Sequence, residues 1–225
     1  MNEAASGDRR PLKSRAAGWA QALAAAAARG GASPDLISAA SVAFAGLGAA
    51  LLMLAGINEA PLARGLALIG AAACIQLRLL CNLLDGMVAV EHGRGGPSGP
   101  IWNEMPDRIA DALLLVGAGY CAYGSKLDMG AWLGWLAACL AILTAYVREL
   151  GRGFDFPADF SGPMAKPHRM AALTITCVIS VFEPFWGLHG QCMLIGLAVI
   201  AAGSAWTVVR RTRTLARRLA ERAAG

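Results

Sequence analysis

The chain has 225 residues, 56% of them hydrophobic and 16% charged, with a formal net charge of +5 and a mean hydropathy of +0.51. This composition excludes a disordered segment or an ordinary soluble domain and indicates an integral membrane protein. The positive balance could suit nucleic acid, but the basic residues flank apolar runs and fit anionic lipid headgroups better, so no nucleic-acid partner is expected.

In chain order, residues 12–30 are alanine-rich and carry Lys13, Arg15, Trp19, Leu23 and Arg29. This pattern predicts an amphipathic helix lying on the membrane surface. The basic start has no short apolar core ending in a cleavage site, so no secretory signal is expected. Ser33-Pro34-Asp35 then reads as a helix start, with Ser33 as N-cap and Pro34 at the first helical position.

Apolar runs follow at 36–56, 62–88, 104–124, 129–150, 169–187 and 189–209, each near the ~20 residues that cross a bilayer core. The predicted fold is an all-α integral membrane protein with six transmembrane helices and an N-terminal interfacial helix. It divides into a cytoplasmic segment (1–34), a membrane domain (35–209) and a basic cytoplasmic tail (210–225). Gly187, Leu188 and His189 separate the last two runs, with Pro184 nearby, so that turn must be tight.

Lys and Arg are concentrated on one side: the N-terminal segment, the Arg94 loop, the loop with Arg148, Arg152, Lys166 and Arg169, and the tail from Arg210 to Arg222. The other side has little beyond Arg64 and Lys126, balanced by Glu59, Asp128 and Glu183. Both termini are therefore expected in the cytoplasm, with the chain in the cytoplasmic (inner) membrane. The six cysteines lie scattered along apolar runs without a C-x-x-C pair, which favours packing residues over disulfides or zinc ligands.

Acidic and amide groups gather at the end of the second run and the start of the third. Asn82 and Asp85 share one helix face; Asp107 and Asp111, four apart, share another, with Asn103 and Glu104 beside them. An Asp at mid-span costs about 2.5–3.5 kcal/mol on insertion scales, and less near the interface, so several together imply use. An all-oxygen set without Cys or His favours a hard cation, Mg²⁺ or Mn²⁺, with Ca²⁺ also admissible.

The stretch Asn82-Leu83-Leu84-Asp85-Gly86-Met87-Val88-Ala89, with Asp107 and Asp111, resembles the signature of the CDP-alcohol phosphatidyltransferases, D-x-x-D-G-x-x-A-R followed by G-x-x-x-D-x-x-x-D. Asp85, Gly86, Ala89, Asp107 and Asp111 match it. Asn82, Val90 and Asn103 stand where the family has Asp, Arg and Gly. The resemblance implies a metal-dependent transfer of a phosphatidyl group from CDP-diacylglycerol to a hydroxyl acceptor, releasing CMP, by a homodimeric membrane enzyme of phospholipid synthesis.

Carried over by position, Asp85, Asp107 and Asp111 would ligate metal, joined by Asn82 or Glu104. Asp111 and Asp107 would be catalytic, Asp111 as metal ligand, general base or both. Gly86 and Ala89 would let the nucleotide approach the helix. Val90 cannot make the family's arginine contact, which leaves Arg94 or Arg78 to supply it. Lys166 and Arg169, in a loop similar to the family's segment before the fifth helix, would bind phosphate. Three other readings stay open: the reverse arrangement, in which a soluble CDP-alcohol donates to diacylglycerol, a relative that binds CDP-lipid or metal without catalysis, and a small ion transporter. The acids lie at helix ends instead of mid-membrane, which weighs against the transporter. Gly46, Gly48, Gly65 and Gly70 would permit close helix contacts, including those of a dimer.

Overall fold

The computed structural model describes residues 17–91, 98–122 and 129–224, with the side chains of residues 100 and 103 outside that description. The described residues form α1 (Gly18–Arg29), α2 (Pro34–Ile57), α3 (Pro61–Glu91), α4 (Gly99–Cys121), α5 (Met129–Gly153), α6 (Lys166–Ser180) and α7 (Gln191–Ala224), with a 3-10 turn at Glu183–Trp186. No strand occurs among them. The protein is an all-α membrane protein.

Four helices, α2, α3, α5 and α7, are long and apolar enough to cross a membrane. Helix α4 spends polar residues on the site described below, and α6 has 15 residues before Pro184 and the left-handed Gly187 (φ 65°) end the run. The bundle is apolar outward, with Ile57, Trp132, Phe185 and Trp206 exposed, and small inside. Lipid supplies no hydrophobic drive between helices, so close backbone packing must hold them together. A Cβ at Gly117 would lie 2.7 Å from Ala49 Cα, so α2 and α4 touch through backbone. A Cβ at Gly119 would lie 2.8 Å from the Gly130 carbonyl and 2.9 Å from Gly134 Cα, which fixes the α4–α5 crossing. Gly48 serves inside the bundle too, facing Leu114 and Cys74, while Gly46 meets open space.

Helix α1 buries Ala20, Ala24 and Ala28 along one stripe. Ala20 and Ala24 pack with Ile37, Leu83, Met87 and Val88, while Trp19 and Leu23 stay exposed. Entry into α2 is capped as expected: Ser33 Oγ accepts from the Leu36 N–H at 3.2 Å, a contact worth ~1 kcal/mol.

At the bundle end remote from the acidic motif, Arg64 and Glu183 are not loop charges. They are 1% and 0% exposed and form an ion pair. Arg64 Nη1 also donates to the Ala55 carbonyl at 2.8 Å. Glu183 accepts from the Gly190 N–H at 2.8 Å and the Cys192 N–H at 2.6 Å. The pair ties α2, α3 and the start of α7 together and satisfies helix-end donors that lack intrahelical partners.

Candidate active site

Arg78, Asn82 and Asp85 recur at i, i+4 and i+7 along α3, which places them on one face. They look across at Asp107 and Asp111 of α4. Lys166 and Arg169, at the start of α6, close the third side, and Ser38, one turn into α2, closes the fourth.

Asp111 is held most completely. Its Oδ1 accepts from Arg78 Nη2 at 2.5 Å and its Oδ2 from Arg169 Nη2 at 2.5 Å. Arg169 is in turn fixed by the Met164 carbonyl, 3.1 Å from its Nη1. Asp107 accepts from Asn82 Nδ2 and from Lys166 Nζ, with Arg78 Nη2 3.4 Å from Oδ1. Asp85 Oδ2 accepts from Ser38 Oγ at 2.6 Å, while its Oδ1 is buried without a hydrogen-bond partner. Gly86 and Ala89 are half-buried on the same stretch of α3, and Val90 faces outward.

Glu104 meets this set through Arg108, whose Nη2 also lies 3.9 Å from Asp107 Oδ2. It pairs with Arg108 at 2.7 Å and with Arg148 at 2.5 Å. Arg148 also bonds Glu149 at 2.8 Å and lies 5.4 Å over the Phe160 ring. The structure thus commits Glu104 to an arginine cluster one turn before Asp107. Arg94 and the side chain of Asn103 lie outside the described residues. Arg78, the alternative to Arg94, is inside the site, between the two α4 carboxylates.

Among the described residues, no three carboxylate, histidine or cysteine side chains stand together as a ready metal-binding group. Asp107 and Asp111 have their oxygens engaged by cations of the chain itself. The residues nevertheless fit a hard divalent ion: the donors are all oxygen, Asp85 keeps an orphaned buried oxygen, and the Lys166 ammonium occupies a position that a cation can take over.

A basic cleft opens between α5, the 154–165 loop and α7, lined in part by Arg148, Gly151, Asp159, Arg211, Thr214 and Arg218. Burial pushes the Asp159 carboxyl up, but hydrogen bonds from Ser161 and the charges of Arg211 and Arg218 hold it below the usual carboxylate range. Arg211 donates to the Ser161 carbonyl at 2.9 Å and the Thr144 carbonyl at 2.6 Å. Gly162 sits over Thr207 at φ 117°, where a Cβ would come within 2.5 Å of Thr207 Cγ2, so the loop turn needs glycine. Arg211 and Arg218 read in sequence as part of the basic cytoplasmic tail. Their cleft is formed by residues 60 or so positions apart, which periodicity cannot reveal. Ser38 was missed as well; its only sequence signal is a hydroxyl inside an apolar run.

No family model matches the chain. It is 26% identical over 199 residues to a phosphatidylinositol phosphate synthase of Mycolicibacterium smegmatis, covering 86% of this chain and 82% of that protein. It is 33% identical over 149 residues to a bifunctional IPC transferase and DIPP synthase of Rubrobacter xylanophilus, covering 64% of this chain and 30% of that protein. Crystal structures of the Mycobacterium tuberculosis phosphatidylinositol phosphate synthase share the fold at 20% identity. The complex with manganese and citrate gives a TM-score of 0.71 over 87% of this chain and 88% of that one. The form with CDP-DAG bound gives 0.72 over 87% and 92%. The chain is thus similar in sequence to phosphatidylinositol phosphate synthases and shares the fold of the Mycobacterium tuberculosis protein, with Asp85 on α3 and Asp107 and Asp111 on α4 at one end of the bundle.

Proposed function

We propose that the protein is a transferase of phospholipid synthesis that moves a phosphatidyl group from CDP-diacylglycerol to a hydroxyl acceptor, releasing CMP, with Mg²⁺ or Mn²⁺. The observation that carries this reading is the meeting of Asp85, Asp107 and Asp111 with Arg78, Lys166 and Arg169 at one end of the bundle. Asp85, Asp107 and Asp111, with the Asn82 carbonyl, would hold the metal. When bound, the ion neutralises the diphosphate and orients it for in-line displacement. Gly86 and Ala89 leave room for the nucleotide along α3, and Lys166 and Arg169 provide phosphate contacts. The acceptor oxygen attacks the lipid-side phosphorus, the bond to the CMP phosphate oxygen breaks, and a carboxylate of the Asp107–Asp111 pair takes the hydroxyl proton. The basic cleft adjoins the site through Glu104 and Arg148, which favours an acceptor carrying a phosphate group.

The same reading makes α2 to α7 six spans in a cytoplasmic membrane. Both termini and the site are then on the cytoplasmic side, where the Lys and Arg residues concentrate. It also makes the protein a homodimer, as the family resemblance implies. The test is CMP release from CDP-diacylglycerol by purified protein. Activity is expected to vanish in EDTA and return with Mg²⁺ or Mn²⁺; undiminished release by metal-free protein rules the reading out.

The departure at Asn82 gives a finer expectation. Its amide donates to Asp107, so Asn82→Asp removes a donor and adds a carboxylate facing the metal position. The metal concentration for half-maximal activity should fall. Glu104→Gln, in the separate arginine cluster, should leave it unchanged. Titrating Mg²⁺ against CMP release in both variants checks this, and the reverse pattern would move the metal to Glu104.

A further inference from the structure

The charges of the acidic site are balanced before any metal arrives. Asp85, Asp107 and Asp111 bring three negative charges, and Arg78, Lys166 and Arg169 bring three positive ones; Arg108, 3.9 Å from Asp107 Oδ2, is matched by Glu104 at 2.7 Å. Two of the cations are locked: Arg78 and Arg169 have side chains 0% and 1% exposed and grip Asp111 from opposite sides. Lys166 is different. Its side chain is 24% exposed, it is the first residue of α6, and it reaches Asp107 through a flexible four-carbon stem.

A divalent ion entering alone would leave this enclosed site with two uncompensated positive charges. It would also compete with the Lys166 ammonium for Asp107 Oδ2. The Asn82 amide, donating to the other oxygen of Asp107, works in the same direction. A diphosphate diester carries two negative charges and restores the balance. It also offers Lys166 a new partner. Asp85 Oδ1, buried and without a hydrogen-bond partner, is a free oxygen for the incoming ion.

We propose that Lys166 is the resting counter-ion of Asp107, and that it makes the site bind divalent metal weakly alone and tightly together with a nucleoside diphosphate. On joint binding, Lys166 leaves Asp107 for the diphosphate. This rests on the transferase reading above. Coupling of this kind is reciprocal, so the metal must tighten the diphosphate by the same factor.

The experiment is Mn²⁺ binding, followed by electron paramagnetic resonance on the full chain in detergent, with and without CDP-diacylglycerol and with no acceptor. In the wild type, CDP-diacylglycerol should tighten Mn²⁺ at least about tenfold, within the usual range of coupling between sites. Lys166→Gln should bind Mn²⁺ alone about tenfold more tightly than wild type, and the gain from CDP-diacylglycerol should shrink to match. Lys166→Met should repeat that shift, and Lys166→Arg should keep the wild-type pattern. Unchanged Mn²⁺ affinity in the Gln and Met variants overturns the proposal. Wild-type affinity that is high with or without CDP-diacylglycerol overturns it too, yet leaves the transferase reading standing. Absence of Mn²⁺ binding under both conditions removes the transferase reading itself.

Discussion

Asp107→Asn and Asp111→Asn should each lower the rate of CMP release at least ~100-fold, the scale of a lost general base or metal ligand. The two fail for different reasons. In Asp111→Asn the new amide presents N–H to a guanidinium, because both Asp111 oxygens now accept from arginines at 2.5 Å. Arg78 and Arg169 are then left facing a neutral group in a buried site, so stability falls as well as activity. Asp107 is more open, 13% exposed against 2% for Asp111. Its loss should therefore spare folding and fall mainly on turnover. Rates must be expressed per folded protein for that distinction to appear. Near-normal release by either variant would falsify the assignment of the site.

Glu183→Ala should do the opposite: cost stability and leave chemistry alone. The change strands the Arg64 guanidinium, 1% exposed, and leaves the Gly190 and Cys192 N–H groups without the acceptor they have. Breaking a buried pair from one side costs about 3–5 kcal/mol. Thermal unfolding in detergent should show a large drop. The surviving folded fraction should keep its specific activity, because the pair lies at the end of the bundle away from Asp111. Wild-type stability would mean that the pair does not hold the bundle together.

What could be read from the sequence follows the range of the interactions. Helical spacing puts Asp107 and Asp111 on one face of α4, and the six apolar runs locate α2 to α7. Ser38 with Asp85, Glu104 with Arg148, and Arg64 with Glu183 are 47, 44 and 119 residues apart. No local pattern pairs them, so the pairing of Glu104 with Arg148 and the burial of Glu183 emerge only from packing. Helix ends followed local chemistry instead of hydropathy. Helix α6 stops at Ser180, before Pro184. Helix α7 outruns its apolar segment to Ala224, because Ala, Arg and Leu are strong helix formers and nothing in the tail breaks it.

The most direct test of the α3–α4 site is the position of the metal itself. Manganese is located by its anomalous scattering in crystals grown with Mn²⁺ and CDP-diacylglycerol. The expected result is manganese between Asp85 of α3 and Asp107 and Asp111 of α4, with Lys166 drawn away from Asp107. Manganese bound instead at Glu104 and Glu149, or CDP-diacylglycerol seated with no metal beside those three carboxylates, would contradict it.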